Sequence, residues 1–363
     1  MGSLLMRLAP LTTTGVGSLP FTRPGDAARH AVGCYELPFC PQMPRAYGDM
    51  LQEWLGADPG RCGWAPDRDQ QLPAAWDAFV LELRRRRPAH GVVKLQVTGP
   101  LTLAMALERG GSVARSDLAG LASEVSVWLA AAVDDWARGL AELGLGVLVM
   151  VDEPGLHAAQ RAGGGAEVWD PIRAVAGAWG VHVCGNVPWR LLDAAEPDVI
   201  SFDLVRSGCG IEAADVIRRL LGRGGRIMWG VVDPCLPEPA PHAVARLCAA
   251  AREVAGGGAP LEVLNASLLS ASCGTGGVSV GAERWVARSI ESAASLLRAA
   301  PDLASSLEAP ELMSAELALE SIGGLRGDDR DRPGRECTMA VESVKVASAT
   351  KGTRSEPGTD AQR

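Results

Sequence analysis

The sequence predicts an α/β fold, a single (β/α)8 barrel followed by a disordered C-terminal tail. Three observations lead there. Eight short β-rich runs alternate with longer amphipathic stretches. Several of those runs are almost continuously apolar, as parallel strands covered on both faces are. An open doubly wound sheet would usually carry a Gly-rich phosphate loop after its first strand, and T-G-V-G-S-L-P at 14–20 has two glycines but no G-x-G-x-x-G.

The expected strands are 12–18, 34–39, 92–98, 146–152, 179–184, 198–203, 226–232 and 267–273. The first, T-T-T-G-V-G-S, is followed by Pro20, which blocks an immediate long helix. The runs V-V-K-L-Q-V-T, G-V-L-V-M-V-D and R-I-M-W-G-V-V read as buried strands. Between them, 116–143, 210–222 and 239–255 are amphipathic. Asp117 lies near the first turn of the earliest of these helices, and Gly144 supplies its stop. The barrel unit is placed at 1–309. From 310 to 363 the chain turns charged and Gly/Pro-rich, as in R-G-D-D-R-D-R-P-G-R. Such a tail buries too little apolar surface to offset its ordering entropy, and Cys337 falls within it.

Of the 363 residues, 47% are hydrophobic, enough for a substantial core. The net charge of −8 excludes a general nucleic-acid binder, which would carry a basic footprint. No apolar run approaches the roughly 18–20 residues of a membrane helix. The opening M-G-S-L-L-M-R-L-A-P is too short for a signal peptide, so a cytoplasmic location is expected. The nine cysteines are odd in number and irregular in spacing, which favours reduced thiols and a metal over a disulfide framework.

V-H-V-C-G-N at 181–186 puts His182 and Cys184 on one face of a strand, because side chains alternate. A buried histidine and a small core cysteine would give the same spacing, so the pair alone decides nothing. Asp203 ends the next strand, and Cys273 ends the last one before a Gly-rich turn. Barrel active sites sit at that C-terminal rim. Three elements can thus bring one nitrogen, two sulfurs and one oxygen together, a set that tetrahedral Zn²⁺ accepts.

Taken in order, T-T-T-G-V-G-S-L-P, V-T-G-P-L-T-L, V-D-E-P-G-L, H-V-C-G-N, the R-S of S-F-D-L-V-R-S, and S-C-G resemble the catalytic barrel of cobalamin-independent methionine synthase. That family sits among the uroporphyrinogen decarboxylase-like barrels, and the likeness covers roughly 10–300. It implies zinc held by His182, Cys184, Cys273 and Asp203, the last standing where the methionine synthases have Glu. It also implies amino-acid binding by Ser18 and Asp152, with Glu153 beside the ammonium or bracing the loop. Glu36 matches a further binding glutamate, with Asp49 as its competitor.

The implied activity is zinc-dependent methylation of a thiol, most simply homocysteine to methionine, as in methionine biosynthesis. Zinc binding deprotonates a thiol whose pKa is otherwise about 8.5, and the thiolate then attacks an activated methyl group. The methyl donor would be methyltetrahydrofolate or a methylcorrinoid. Three departures weaken the folate reading. The family's additional N-terminal barrel is not expected in this chain. Ala106 stands where the family has Trp. Cys235, in V-V-D-P-C, stands where it has a catalytic His, which makes Cys235 a substitute catalytic candidate. The alternatives are a corrinoid-dependent transferase acting on another thiol, and a non-catalytic zinc-binding barrel. Trp189 is kept as a pocket wall. Trp64, Trp76, Trp128, Trp136 and Trp179 suit helix packing, while His30, His90 and His242 are expected to be solvated.

Overall fold

The computed structural model describes residues 4–56, 64–65, 72–111, 118–161, 164–236, 238–301 and 303–306. Asp117, Cys62, Cys337 and the whole of 310–363 lie outside them. Seven parallel strands form one curled sheet: β1 (Thr12–Thr13), β2 (Val92–Thr98), β3 (Gly146–Asp152), β4 (Ala178–Val183), β5 (Val199–Asp203), β6 (Arg226–Val232) and β7 (Ser267–Ala271). Their order is β1-β7-β6-β5-β4-β3-β2. Helices connect them, among them Pro100–Arg109, Leu118–Ala141, Ile211–Gly222, Ala240–Ala255 and Val280–Ala299.

The expected eight-stranded ladder is corrected at one place. Residues 34–39 form no strand and make a single bridge, Phe39 to Lys94 of β2. The stretch around it bonds to both edge strands. Leu37 donates to the Thr13 carbonyl at 2.9 Å, and Lys94 donates to the Pro38 carbonyl at 2.8 Å. Pro38 and Pro41 carry no N–H, so this stretch cannot sustain a regular ladder. The first expected strand also shortens to two residues, with Ser18 bridging Gln42 beyond it.

Strand alternation separates two environments. Val93, Leu95, Val97, Val149, Val151, Val181, Val183, Ile200, Phe202, Trp229 and Leu269 pack outward against the helices in the main core. The opposite face carries a smaller cluster that includes Leu5, Leu8, Val92, Leu148, Ala178, Met228 and Leu268. Further along that inner face the residues turn polar: Lys94, Gln96 and Thr98 on β2, Asp152 on β3, His182 on β4, Ser201 and Asp203 on β5. One end of the interior is therefore apolar filling and the other is lined with chemistry.

The long helix ends as its sequence predicts, with Gly144 at φ +71°, a conformation that costs an L side chain strain. The tryptophans expected in helix packing are there: Trp54 meets Trp128 at 5.5 Å and Trp136 at 5.1 Å between ring centroids, and Trp76 meets Trp136 at 5.9 Å. His30 is a correction. It is buried, and its Nε2 lies 2.9 Å from the Glu283 carboxylate. No helix among the described residues is long and apolar enough to cross a membrane.

Candidate active site

The site is built on one rung of the sheet. Asp152, His182 and Ser201 are direct cross-strand partners on β3, β4 and β5, so their side chains share the inner face. His182 Nδ1 meets Ser201 Oγ at 2.9 Å, which fixes the ring. Its Nε2 is buried with no hydrogen-bond partner. Burial first, and the Lys94 charge second, hold its pKa down at about 3, so the imidazole is neutral.

Cys184 lies just past β4 and Cys273 just past β7, both partly exposed. Their thiols lie close enough to act on each other's titration: Cys273 is lowered, chiefly by Cys184 and against burial, and Cys184 is raised well above the usual thiol range by Cys273 and by burial. Asp203 is 1% exposed at the end of β5 and lies within electrostatic reach of Cys273. Its Oδ1 accepts the Arg206 amide at 3.0 Å, capping the turn Leu204–Ser207, while the buried Oδ2 accepts no hydrogen bond and lies 3.7 Å from Arg206 Nε in an ion pair. Burial pushes its carboxyl up against the pull of Arg206.

The donor chemistry fits zinc: two neighbouring sulfurs, a neutral imidazole with an orphaned nitrogen, and a carboxylate oxygen that accepts no hydrogen bond and is held only by an ion pair to Arg206. The anchored Nδ1 is what a ligating histidine needs. Among the described residues, however, no three such side chains stand in metal-binding geometry as arranged. The expected ligands end on neighbouring elements without closing around one point.

Asp152 is 6% exposed. Its Oδ1 accepts from Gln96 Nε2, and Gln96 Oε1 in turn accepts from Lys94 Nζ. Burial raises Asp152 to about 8 against the opposing pull of Lys94 and Gln96; the same burial lowers Lys94 to about 7. Cys273 and Cys184 both feel this carboxylate, so it belongs to the same mouth.

Ser18 arrives by a different route. The turn after Cys273 folds onto it: Thr275 N donates to the Ser18 carbonyl at 3.0 Å, and Gly276 N reaches Ser18 Oγ at 3.3 Å. A Cβ on Gly274 would lie 2.1 Å from Ser18 Oγ, so glycine is required for this approach. Gly274→Ala is expected to displace that hydroxyl. If Ser18 holds a substrate carboxylate, KM for that substrate should rise about tenfold with the fold intact, the effect of one lost charge-assisted bond. An unchanged KM would remove Ser18 from the binding set.

Other expected site residues lie elsewhere or serve the scaffold. Glu153 is fully buried and accepts four bonds: Leu101 N at 3.1 Å, Thr102 N at 2.8 Å, Thr102 Oγ1 at 2.6 Å and Trp169 Nε1 at 3.2 Å. It braces the start of Pro100–Arg109, the second of the two roles expected for it. Glu36 pairs with Arg298 at 2.7 Å and accepts the Thr13 amide at 3.0 Å, beside the start of β1. Asp49 caps the helix Met50–Leu55 through a capping box. Trp189 packs edge-on to Phe202 at 5.0 Å, on the helix side of the sheet. Among the described cysteines, Cys34, Cys40, Cys184, Cys209, Cys248 and Cys273 are free thiols, as expected, while Cys235 is disulfide-bonded and its amide donates to Asp233 Oδ1 at 2.8 Å.

Lys94, Gln96 and Gln42 were missed. Lys94 and Gln96 are two apart in an otherwise apolar strand, the same spacing that singles out His182 and Cys184. Gln42 is buried beside Ser18, and its Nε2 approaches Glu53 without completing a hydrogen bond. Burial raises Glu53 to about 7. Glu53 lines a small cavity with Gln42, Gln96 and Trp54.

With this geometry in view, one solved structure is informative. A B12-independent methionine synthase from Shewanella sp. W3-18-1, in complex with selenomethionine, matches with a TM-score of 0.58 and 16% sequence identity, over 80% of this chain and 98% of that one. This chain shares that enzyme's fold. At such identity the likeness is one of architecture. No protein-family model matches the sequence, and no curated protein does.

Proposed function

We propose that this protein is a zinc-dependent thiol S-methyltransferase with homocysteine as its leading acceptor. The observation that carries the reading is the Cys184–Cys273 thiol pair near a neutral, anchored His182 whose Nε2 has no partner, all on the inner face of a fold shared with a methionine synthase. His182, Cys184 and Cys273 would hold the metal, with Asp203 Oδ2 as the fourth and most exchangeable donor. Zinc, when bound, supplies the charge that keeps an incoming thiol deprotonated at neutral pH.

The chain's own groups do the rest. Ser201 holds the His182 ring so that Nε2 faces the interior. Asp152, whose carboxyl burial raises to about 8, would be drawn to its charged form by a substrate ammonium beside it, and Gln96 fixes its orientation. Ser18 Oγ and the amides of the turn after Cys273 suit a carboxylate. Holding both ends of an amino acid aims its sulfur at the mouth.

The donor is decided by assay. Purified protein loaded with zinc should convert homocysteine to methionine with either methyltetrahydrofolate or free methylcobalamin. Ala106, partly exposed in Pro100–Arg109, leaves no aromatic ring at the family's folate position, which favours the corrinoid arm. Transfer to a different thiol only would change the acceptor. Zinc bound without any homocysteine binding by calorimetry would overturn the catalytic reading.

A further inference from the structure

Lys94 is a charged group that the proposed reaction leaves unused. It is fully buried on the inner face of β2, where an uncompensated ammonium is costly. Its Nζ donates to the Val16 carbonyl and to Gln96 Oε1, and lies 5.1 Å from the centroid of the Phe39 ring. Two acceptors and a π face are what an ammonium takes in place of water. The backbone there is fixed as well. Lys94 N donates to the Pro38 carbonyl at 2.8 Å, and Cys40 N donates to the Lys94 carbonyl at 3.1 Å.

We propose that Lys94 is a positioning residue for substrate: by holding the Gln96 oxygen it turns the Gln96 NH2 toward Asp152, and so presents that carboxylate to the ammonium of an amino acid. This role rests on Asp152 as the ammonium site of the proposed methyltransferase. A side-chain amide can be turned end for end with little change of shape, but one end accepts and the other donates. An ammonium only donates, so Lys94 admits just the oxygen, and the NH2 is left for the other side. That side is Asp152, whose Oδ1 accepts from Gln96 Nε2.

Strand register makes the relay possible. Thr98 is the direct cross-strand partner of Asp152, and Gln96, two residues back, is its diagonal neighbour on the same face, within reach of a long side chain. Gly17 closes on the Gln96 stem, since a Cβ there would lie 2.8 Å from Gln96 Cγ. With Lys94 removed, the amide is free to present its oxygen to Asp152. Two oxygens bond only if the carboxyl keeps a proton, and that form does not neutralise an ammonium. The amide also stands between the two charges, so Lys94 supports the carboxylate without occupying it. Burial lowers Lys94 and raises Asp152, and each pulls the other back toward its charged form.

Calorimetry on the zinc-loaded full chain at neutral pH tests this with two ligands: homocysteine, and 4-mercaptobutanoate, which keeps the thiol and carboxylate and lacks the ammonium. Wild type should bind homocysteine more tightly. Lys94→Met should weaken homocysteine about tenfold, the loss of one charge-assisted contact, and leave 4-mercaptobutanoate unchanged. A merely structural role would weaken both alike. In an Asp152→Asn background, Lys94→Met should cost homocysteine binding nothing further. If Lys94→Met does not fold, Gln96→Met carries the test: it breaks the relay, keeps both charges, and should show the same ammonium-specific loss. Equal loss of both ligands, homocysteine binding as tight as in wild type, or a further loss in the Asp152→Asn background overturns the role of Lys94 and leaves the ammonium site at Asp152 standing. A wild type that binds the two ligands equally overturns that ammonium site, and this role with it.

Discussion

Cys184→Ser and Cys273→Ser are each expected to strip the protein of zinc and of methyl transfer. Serine offers a hard, neutral oxygen in place of a thiolate, and two sulfurs are what distinguish this donor set from a generic polar pocket. Metal analysis of the wild type should find about one zinc per chain, and each variant less than about a tenth of that. Both residues are partly exposed and the change is a near-isosteric one, so the thermal midpoint of the metal-free protein should move little. That separates loss of metal from loss of fold. Full zinc retention in both variants would refute the site.

Glu153→Ala should be among the most destabilising single changes in the molecule. The substitution leaves Leu101 N, Thr102 N and Trp169 Nε1 facing a buried void without their acceptor. Unpartnered buried donors cost about 1–3 kcal/mol each, and a total loss of about 4 kcal/mol is expected after relaxation. Gly99→Ala probes the same brace from the other side, since its Cβ would lie 2.0 Å from Glu153 Cδ. Urea unfolding should show both midpoints falling, with Glu153→Gln between wild type and Glu153→Ala. An unchanged midpoint in Glu153→Ala would mean that the four bonds do not hold the start of Pro100–Arg109 in solution.

These two experiments divide the V-D-E-P motif between two jobs. Asp152 and Glu153 are adjacent in sequence and opposite in direction, because successive residues at a strand end point to different sides. Asp152 faces the interior with His182. Glu153 faces the helices and holds V-T-G-P-L-T in place, which explains why the two motifs occur together in one chain. Residue type alone allowed both acids to bind substrate.

Much of the architecture was legible because it depends on local periodicity. The runs 92–98, 146–152 and 226–232 form strands with the expected bounds. The helices at 210–222 and 239–255 shift by a single residue. The second expected strand failed where two prolines interrupt an apolar run, a loss of donors that hydrophobicity does not register. His30 was misjudged for a related reason. It sits in an amphipathic helix, and only the distant helix Val280–Ala299 brings the carboxylate that buries it.

By itself, the sequence determined which residues face inward, because strand alternation is a property of the backbone. His182, Cys184, Asp203 and Cys273 fall at strand ends on that count alone. What the tertiary structure decided is who meets whom. It set the two thiols within electrostatic reach of each other, left His182 Nε2 without a partner, sent Glu36 to Arg298, and folded the turn after Cys273 onto Ser18. Such contacts join residues up to 262 positions apart. They are set by the curl of the sheet and the close approach of glycine backbones, and neither is written in local pattern.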